Sequence, residues 1–157
     1  MRFKILTMFA AVLLLAACET ASDQNANTGG AGGGNTARQQ SLQEILQAQV
    51  GDRVFFDFDK SNLKPEAQAT IKKWAAFLKE HGTASVTIEG HCDERGTREY
   101  NIALGERRAT AAKNYLVAQG IPAGRVSTIS YGKERPAVVG SNEAAWSQNR
   151  RAVMVIN

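Results

Sequence analysis

From residue 54 onward the chain switches between two hydrophobic rhythms. Val54, Phe56 and Phe58 fall on alternate positions, the spacing of a half-buried strand. Pro65 and Glu66 then suit the first turn of a helix, and Ile71, Trp74, Ala75 and Leu78 recur at helical spacing until His81 and Gly82 interrupt them. Val86 and Ile88 mark a second strand over 85–89, followed by a polar, charged loop over 90–97. A long helix is predicted over 99–119, closed by Gly120 with Pro122 just beyond. A third strand is predicted over 126–131, an irregular or partly helical stretch over 136–149, and a final apolar strand over 151–156. Upstream, 41–50 predicts a short helix with Leu42, Ile45, Leu46 and Val50 near one face. The order βαβαβ followed by a further β predicts an α+β domain, an α/β two-layer sandwich with helices packed on a mixed sheet. Parallel neighbours in it are joined by right-handed crossovers. No internal repeat and no second domain is evident.

The first residues follow neither rhythm. Arg2 and Lys4 precede an almost wholly apolar run from Ile5 to Ala17, the charged and apolar regions of a secretory signal. The run is short of the ~20 residues a membrane-spanning helix needs. It ends Leu15-Ala16-Ala17-Cys18, which resembles the bacterial lipobox, where the cysteine is lipidated and becomes the first mature residue. The competing reading is an ordinary signal with an incidental cysteine. The resemblance implies a signal over 1–17 and an acyl anchor on Cys18, which holds a protein to a membrane without spanning it. Glu19, rather than Asp, follows the cysteine, which in the lipoprotein sorting scheme implies delivery to the outer membrane. The rest of 18–40 is rich in Ala, Asn, Thr, Gln and Gly and cannot bury enough to offset its ordering entropy, so it is expected to be a flexible tether ahead of a domain over 41–157.

Composition narrows the function. The formal charge of +4 includes Arg2 and Lys4, so removing the signal halves it. No Lys/Arg cluster is interleaved with aromatics, and a nucleic-acid partner is not expected. With Cys18 lipidated, Cys92 is a lone thiol and no disulfide framework exists, so the domain must stand on its hydrophobic core.

The candidate chemistry lies in Glu89-Gly90-His91-Cys92-Asp93-Glu94-Arg95-Gly96-Thr97 and the helix start that follows. On a helical wheel Ile102, Gly105, Ala109, Ala112 and Leu116 form the core stripe, with Asn101, Leu104, Arg108 and Tyr115 along its edge. Glu106, Arg107 and Thr110 point away. Arg107 is therefore expected in solvent, whereas Arg108 sits at the border of the core and needs a partner. Two readings stand side by side. Arg108 forms a structural salt bridge with a carboxylate such as Asp93, or the two residues clamp a ligand bearing both an ammonium and a carboxylate.

Asn101-x-x-Leu104-Gly105-x-x-Arg108-Ala109 resembles the signature helix of the OmpA C-terminal-like peptidoglycan-binding domains. Gly90-His91-x-Asp93-Glu94-Arg95-Gly96-Thr97, Tyr131-Gly132-Lys133-Glu134-Arg135-Pro136 and Asn149-Arg150-Arg151-Ala152 are closest to the lipid-anchored members of that family. The resemblance implies binding of the peptidoglycan stem peptide through diaminopimelate, with Asp93 on its amine-bearing backbone and Arg108 on its carboxylate. It implies that Phe58, Asp59 and Ser61 line the same groove and that Gly90, Thr97, Tyr100, Asn101 and Leu104 complete its walls. It also implies a partner, the periplasmic propeller protein TolB of the Tol system, on an overlapping surface, and a role in envelope integrity and outer-membrane constriction during division. Two departures stand out: Cys92 replaces a small residue and Arg98 replaces a common proline.

Rival readings are weaker. An enzyme would use Cys92 as nucleophile and His91 as base, but neighbours on an extended segment point to opposite faces. A metal site from His91, Cys92, Asp93 and Glu94 fails because contiguous residues do not converge. Neither a catalytic activity nor a cofactor is expected. A structural envelope protein or interaction module without a wall ligand is the more serious alternative.

Overall fold

A computed structural model describes residues 33–157. The predicted signal, the lipidation at Cys18 and most of the predicted tether lie outside the described residues. Helix α1 spans Gly33–Gln49, β1 Arg53–Phe55, α2 Pro65–Glu80, β2 Val86–His91 and α3 Arg98–Ala118. A 3-10 turn at Ala123–Arg125 leads into β3, Val126–Gly132, and α4, Glu143–Asn149, precedes β4, Arg151–Ile156. The four strands order as β1-β4-β2-β3. β2 and β3 run parallel, joined through α3, while β4 is antiparallel to both β1 and β2. The expected mixed sheet with packed helices is what forms.

The core lies between the sheet and the helices. Ile71, Trp74 and Leu78 of α2 meet Val86 and Ile88 of β2, Ala109, Ala112 and Leu116 of α3, and Met154 of β4. Trp74 is fully buried without stranding its indole N–H, which donates to Gly51 O at 2.7 Å.

Several boundaries differ from the sequence expectation. α1 begins at Gly33 rather than near 41, so the end of the predicted tether is helical. Leu46 is fully buried in the core, and Ala37-Arg38-Gln39-Gln40, all good helix formers, carry the helix upstream from that contact. Ile45, placed on the buried face by pattern, is 37% exposed. β1 stops at Phe55: after a last bond to the β4 side, Phe56 N–H to Arg150 O, the chain turns, with Lys60 N bonding Asp57 O. β2 runs on through His91, so Gly90 belongs to a strand and not to the charged loop. The stretch over 136–149 is partly helical as expected, its helical part being α4, capped by the Asn142 side chain on Ala145 N.

The site is positioned by one close approach. A Cβ on Gly90 would stand 1.9 Å from Gly105 O, and one on Gly105 would stand 2.3 Å from Ser130 Oγ. Two facing glycines thus let α3 lie against β2 backbone to backbone, while Ser130 Oγ donates to Ile102 O at 2.7 Å. That contact sets the depth at which the first turns of α3 present their side chains.

Candidate functional site

Thr97 opens α3. Its hydroxyl oxygen accepts from Tyr100 N at 3.2 Å, an N-cap that starts the helix at Arg98. Asn101, 2% exposed, donates from Nδ2 to Arg95 O and Thr97 O and so ties the preceding loop to the helix. Lys133 grips the same loop through Glu94 O and Gly96 O.

Three residues past the glycine contact, Arg108 is fully buried. Its guanidinium donates from Nε to Lys60 O at 2.9 Å, from Nη1 to His91 O at 2.8 Å and from Nη2 to Asp57 O at 3.2 Å. Phe56 lies beneath it, ring centroid 5.2 Å away. The cation is thus held by backbone carbonyls of the β1–α2 loop and β2, and the salt bridge to Asp93 does not form. A guanidinium has five N–H donors; three make these bonds, and Cys92 Sγ stands within hydrogen-bonding reach of the group as well. Burial pulls the Arg108 pKa down, while nearby Cys92 and Asp93 push it up.

Asp93, also buried, bonds other arginines. Arg95 reaches it bidentately, Nη2 to Oδ2 at 2.6 Å and Nε to Oδ1 at 3.0 Å, and Arg150 Nη1 lies 3.4 Å from Oδ2. Burial alone would raise the Asp93 carboxyl; hydrogen bonds from Arg95 and Arg150 outweigh it and hold the group below the usual carboxylate range. Arg95 itself is stacked between Phe58 and Trp146, its Cζ 4.0 Å from each ring centroid. Arg150 is anchored to Phe56 O and to Glu143.

These groups surround an open cavity of about 170 Å³. Phe58, Asp59, Asp93, Tyr100, Asn101, Leu104 and Arg108 line it, as do Cys92, Arg95 and Gly96. Tyr100 donates its hydroxyl to Asp59 Oδ1 across the mouth. Asp59 holds a left-handed backbone at φ 56°, a conformation that Asp tolerates better than most residues. Arg107 faces solvent as expected, 5.7 Å from the Tyr100 ring.

Three expected wall residues are not in that lining. Ser61 lies farther along the β1–α2 loop, Gly90 is spent on the contact with Gly105, and Thr97 caps α3. Conversely, sequence reasoning missed Arg95, Arg150 and Trp146. Arg95 stood inside the charged loop as a visible candidate; Arg150 and Trp146 reach the site only through α4, which tertiary packing places there.

His91 and Cys92 do not pair. Cys92 Sγ donates to Asn101 O at 3.3 Å, and burial pushes its thiol up to about 11, unfavourable for a nucleophile. His91, 2% exposed, leans on the Tyr131 ring, and burial and nearby arginines pull it down to about 4. Among the described residues, no group of three or more His, Cys, Asp or Glu converges as a metal site, and no helix is long and apolar enough to cross a membrane.

A model of the OmpA family matches residues 55–150. The chain is 48% identical over 151 residues to the peptidoglycan-associated lipoprotein of Rhizobium meliloti (strain 1021), covering 95% of this chain and 86% of that one. To the protein of the same description from Pasteurella multocida (strain Pm70) it is 47% identical over 151 residues, covering 96% and 95%. The crystal structure of the peptidoglycan-associated lipoprotein from Burkholderia pseudomallei matches with a TM-score of 0.66 at 42% identity, over 68% of this chain and 90% of that one. The charged loop, the glycine contact and the Arg108 helix all fall within the matched span, and the chain belongs to the OmpA family, among its peptidoglycan-associated lipoproteins.

Proposed function

We propose that this protein is anchored in the outer membrane through lipidated Cys18 and holds the cell wall non-covalently, seating the diaminopimelate end of a peptidoglycan stem peptide in the cavity at the start of α3. One observation carries the reading. Arg108 is a fully buried cation whose three hydrogen bonds all go to neutral carbonyls, at the back of a cavity open to solvent. A buried charge with no carboxylate bonded to it is costly, and an incoming carboxylate relieves that cost while using donors that the carbonyls leave over. The ligand's ammonium falls to Asp93 and Asp59 on the cavity wall. Leu104 and the rings of Phe58 and Tyr100 flank its aliphatic chain.

On the same reading TolB of the Tol system occupies an overlapping surface. Wall and TolB then exclude one another, and the protein serves envelope integrity and constriction during division. Co-sedimentation with purified peptidoglycan tests the clamp. Arg108→Ala and Asp93→Ala each lose about 2–5 kcal/mol of binding, whereas Arg107→Ala, on the solvent side, binds nearly normally. Equal retention of all variants, folded by circular dichroism, refutes the assignment.

A further inference from the structure

Asp93 has no acceptor capacity in reserve. An ionised carboxylate offers about four lone-pair sites. Oδ1 accepts the Arg95 backbone N–H at 3.1 Å and its Nε–H at 3.0 Å. Oδ2 accepts Arg95 Nη2 at 2.6 Å and Arg150 Nη1 at 3.4 Å. Any ammonium that comes to Asp93 must therefore remove a donor already there.

The two arginines are not equally removable. Arg150 has an 8% exposed side chain and is bound to Phe56 O and Glu143 as well. The Arg95 side chain is 31% exposed, lines the cavity itself, and has Asp93 as its ion-pair partner. Its planar head rests between Phe58 and Trp146 rather than in a cage of acceptors. Glu94 and Glu143 stand near enough for their charges to act on it, so a displaced guanidinium has carboxylates to turn toward.

We propose that Arg95 is an internal cation seated in the ammonium subsite of the groove, which a ligand must displace from Asp93 in order to bind. The inference rests on the wall-binding function proposed above and adds its selectivity. A ligand with a carboxylate but a neutral, acylated nitrogen can satisfy Arg108 yet cannot exchange charge for charge with Arg95. Only a molecule presenting ammonium and carboxylate together does both. Arg95 is accordingly a specificity-determining residue, and Phe58 and Trp146 hold it in register.

The test titrates the full-length lipoprotein in detergent with a diaminopimelate-containing stem peptide and with the same peptide N-acetylated on the diaminopimelate side chain. Wild type is expected to prefer the free amine. Arg95→Gln, which keeps the stem but drops the charge, is expected to bind the free-amine peptide about two- to fivefold more tightly, the span of a partly exposed ion pair. The Arg95 Nε–H resonance of the wild type is expected to move on saturation with the free-amine peptide and to stay in place with the acetylated one. Equal or weaker binding by Arg95→Gln, or an unmoved Nε–H signal at saturation, overturns the proposal. Should Arg95→Gln fail to fold, Arg95→Lys, which loses the bidentate fork, replaces it with the same expected direction. If wild type does not bind the stem peptide, the wall-binding function falls too; if it binds and the variant gains nothing, only the displacement idea falls.

Discussion

Gly90→Ala is the sharpest perturbation of the architecture that presents the site. The new methyl carbon would lie 1.9 Å from Gly105 O and 2.5 Å from Gly105 C. Both are backbone atoms of α3, so no rotamer change can relieve the clash. Ordinary contact requires about 3.5 Å, and the helix must therefore retreat from β2 by more than 1 Å. Arg108 is carried along and loses its 2.8 Å bond to His91 O. Overpacking costs about 1–3 kcal/mol, and backbone on both sides puts this case at the top of that range. At about 4 °C per kcal/mol for a domain of this size, Tm falls by about 12 °C. Thermal melts by circular dichroism, paired with peptidoglycan co-sedimentation on the folded fraction, read both consequences. Gly82→Ala, with nothing within 4 Å of the added carbon, is the matched control and leaves both unchanged. A Gly90→Ala protein that melts within about 2 °C of wild type and holds the wall normally would refute this account of how the site is positioned.

Thr97→Ala removes the cap on α3 and is expected to cost about 1 kcal/mol of stability, measured by urea titration; a folded variant that loses wall binding altogether would return Thr97 to the groove. Burial and nearby arginines hold His91 neutral, with a folded pKa of about 4, although Glu89 Oε2 lies 3.5 Å from its Nε2. The unfolded chain therefore takes up the proton first, so the contribution is intact above the unfolded pKa and is lost as pH falls toward the folded one. That loss amounts to about 3 kcal/mol between pH 6.5 and 4. The variant His91→Phe should flatten the stability profile in that window relative to wild type, and superimposable profiles would exclude His91 as its source. Alkylation of Cys92 by iodoacetamide at pH 7.5 should be about a hundredfold slower than that of a model thiol and should accelerate on adding denaturant; comparable rates in the native state would contradict the buried thiol.

Helices α2 and α3 were legible because their signals are local. Pro65 marked the start of α2 through its fixed φ, Gly120 the end of α3, and the apolar stripe of each helix became the core. The wheel placed Arg108 at the core border, and the structure buries it completely. Its partners were not legible. Opposite charges made Asp93 the natural candidate, but the carbonyls of Asp57, Lys60 and His91 hold Arg108, and no pattern of side chains advertises a backbone acceptor. Arg95 and Arg150 took Asp93 instead because the β1–α2 loop, the β2–α3 loop and α4 converge only in three dimensions. α4 is seven residues long, too short for periodicity to fix its bounds within a stretch expected to be partly helical, although Asn142 carries a capping signal. β1 looked longer than it is because alternation continued after its pairing partner had ended.

Helix α1 gives the chain a yielding element at the N-terminal end of the described residues. Leu46 plugs it into the core, and Gln43 clasps β4 by accepting from Ile156 N at 2.9 Å and donating to Met154 O at 3.4 Å. Tension arriving from the upstream segment meets this clasp before it meets any strand pairing. A helix of 17 residues is about 25 Å long and about 58 Å when drawn straight. Peeling it off thus pays out about 30 Å of slack, and no residue lining the candidate cavity lies on α1. Under force spectroscopy the first extension step should have that length, and under the anchoring and wall binding proposed above a leash of this kind would let the envelope layers separate briefly without loss of grip.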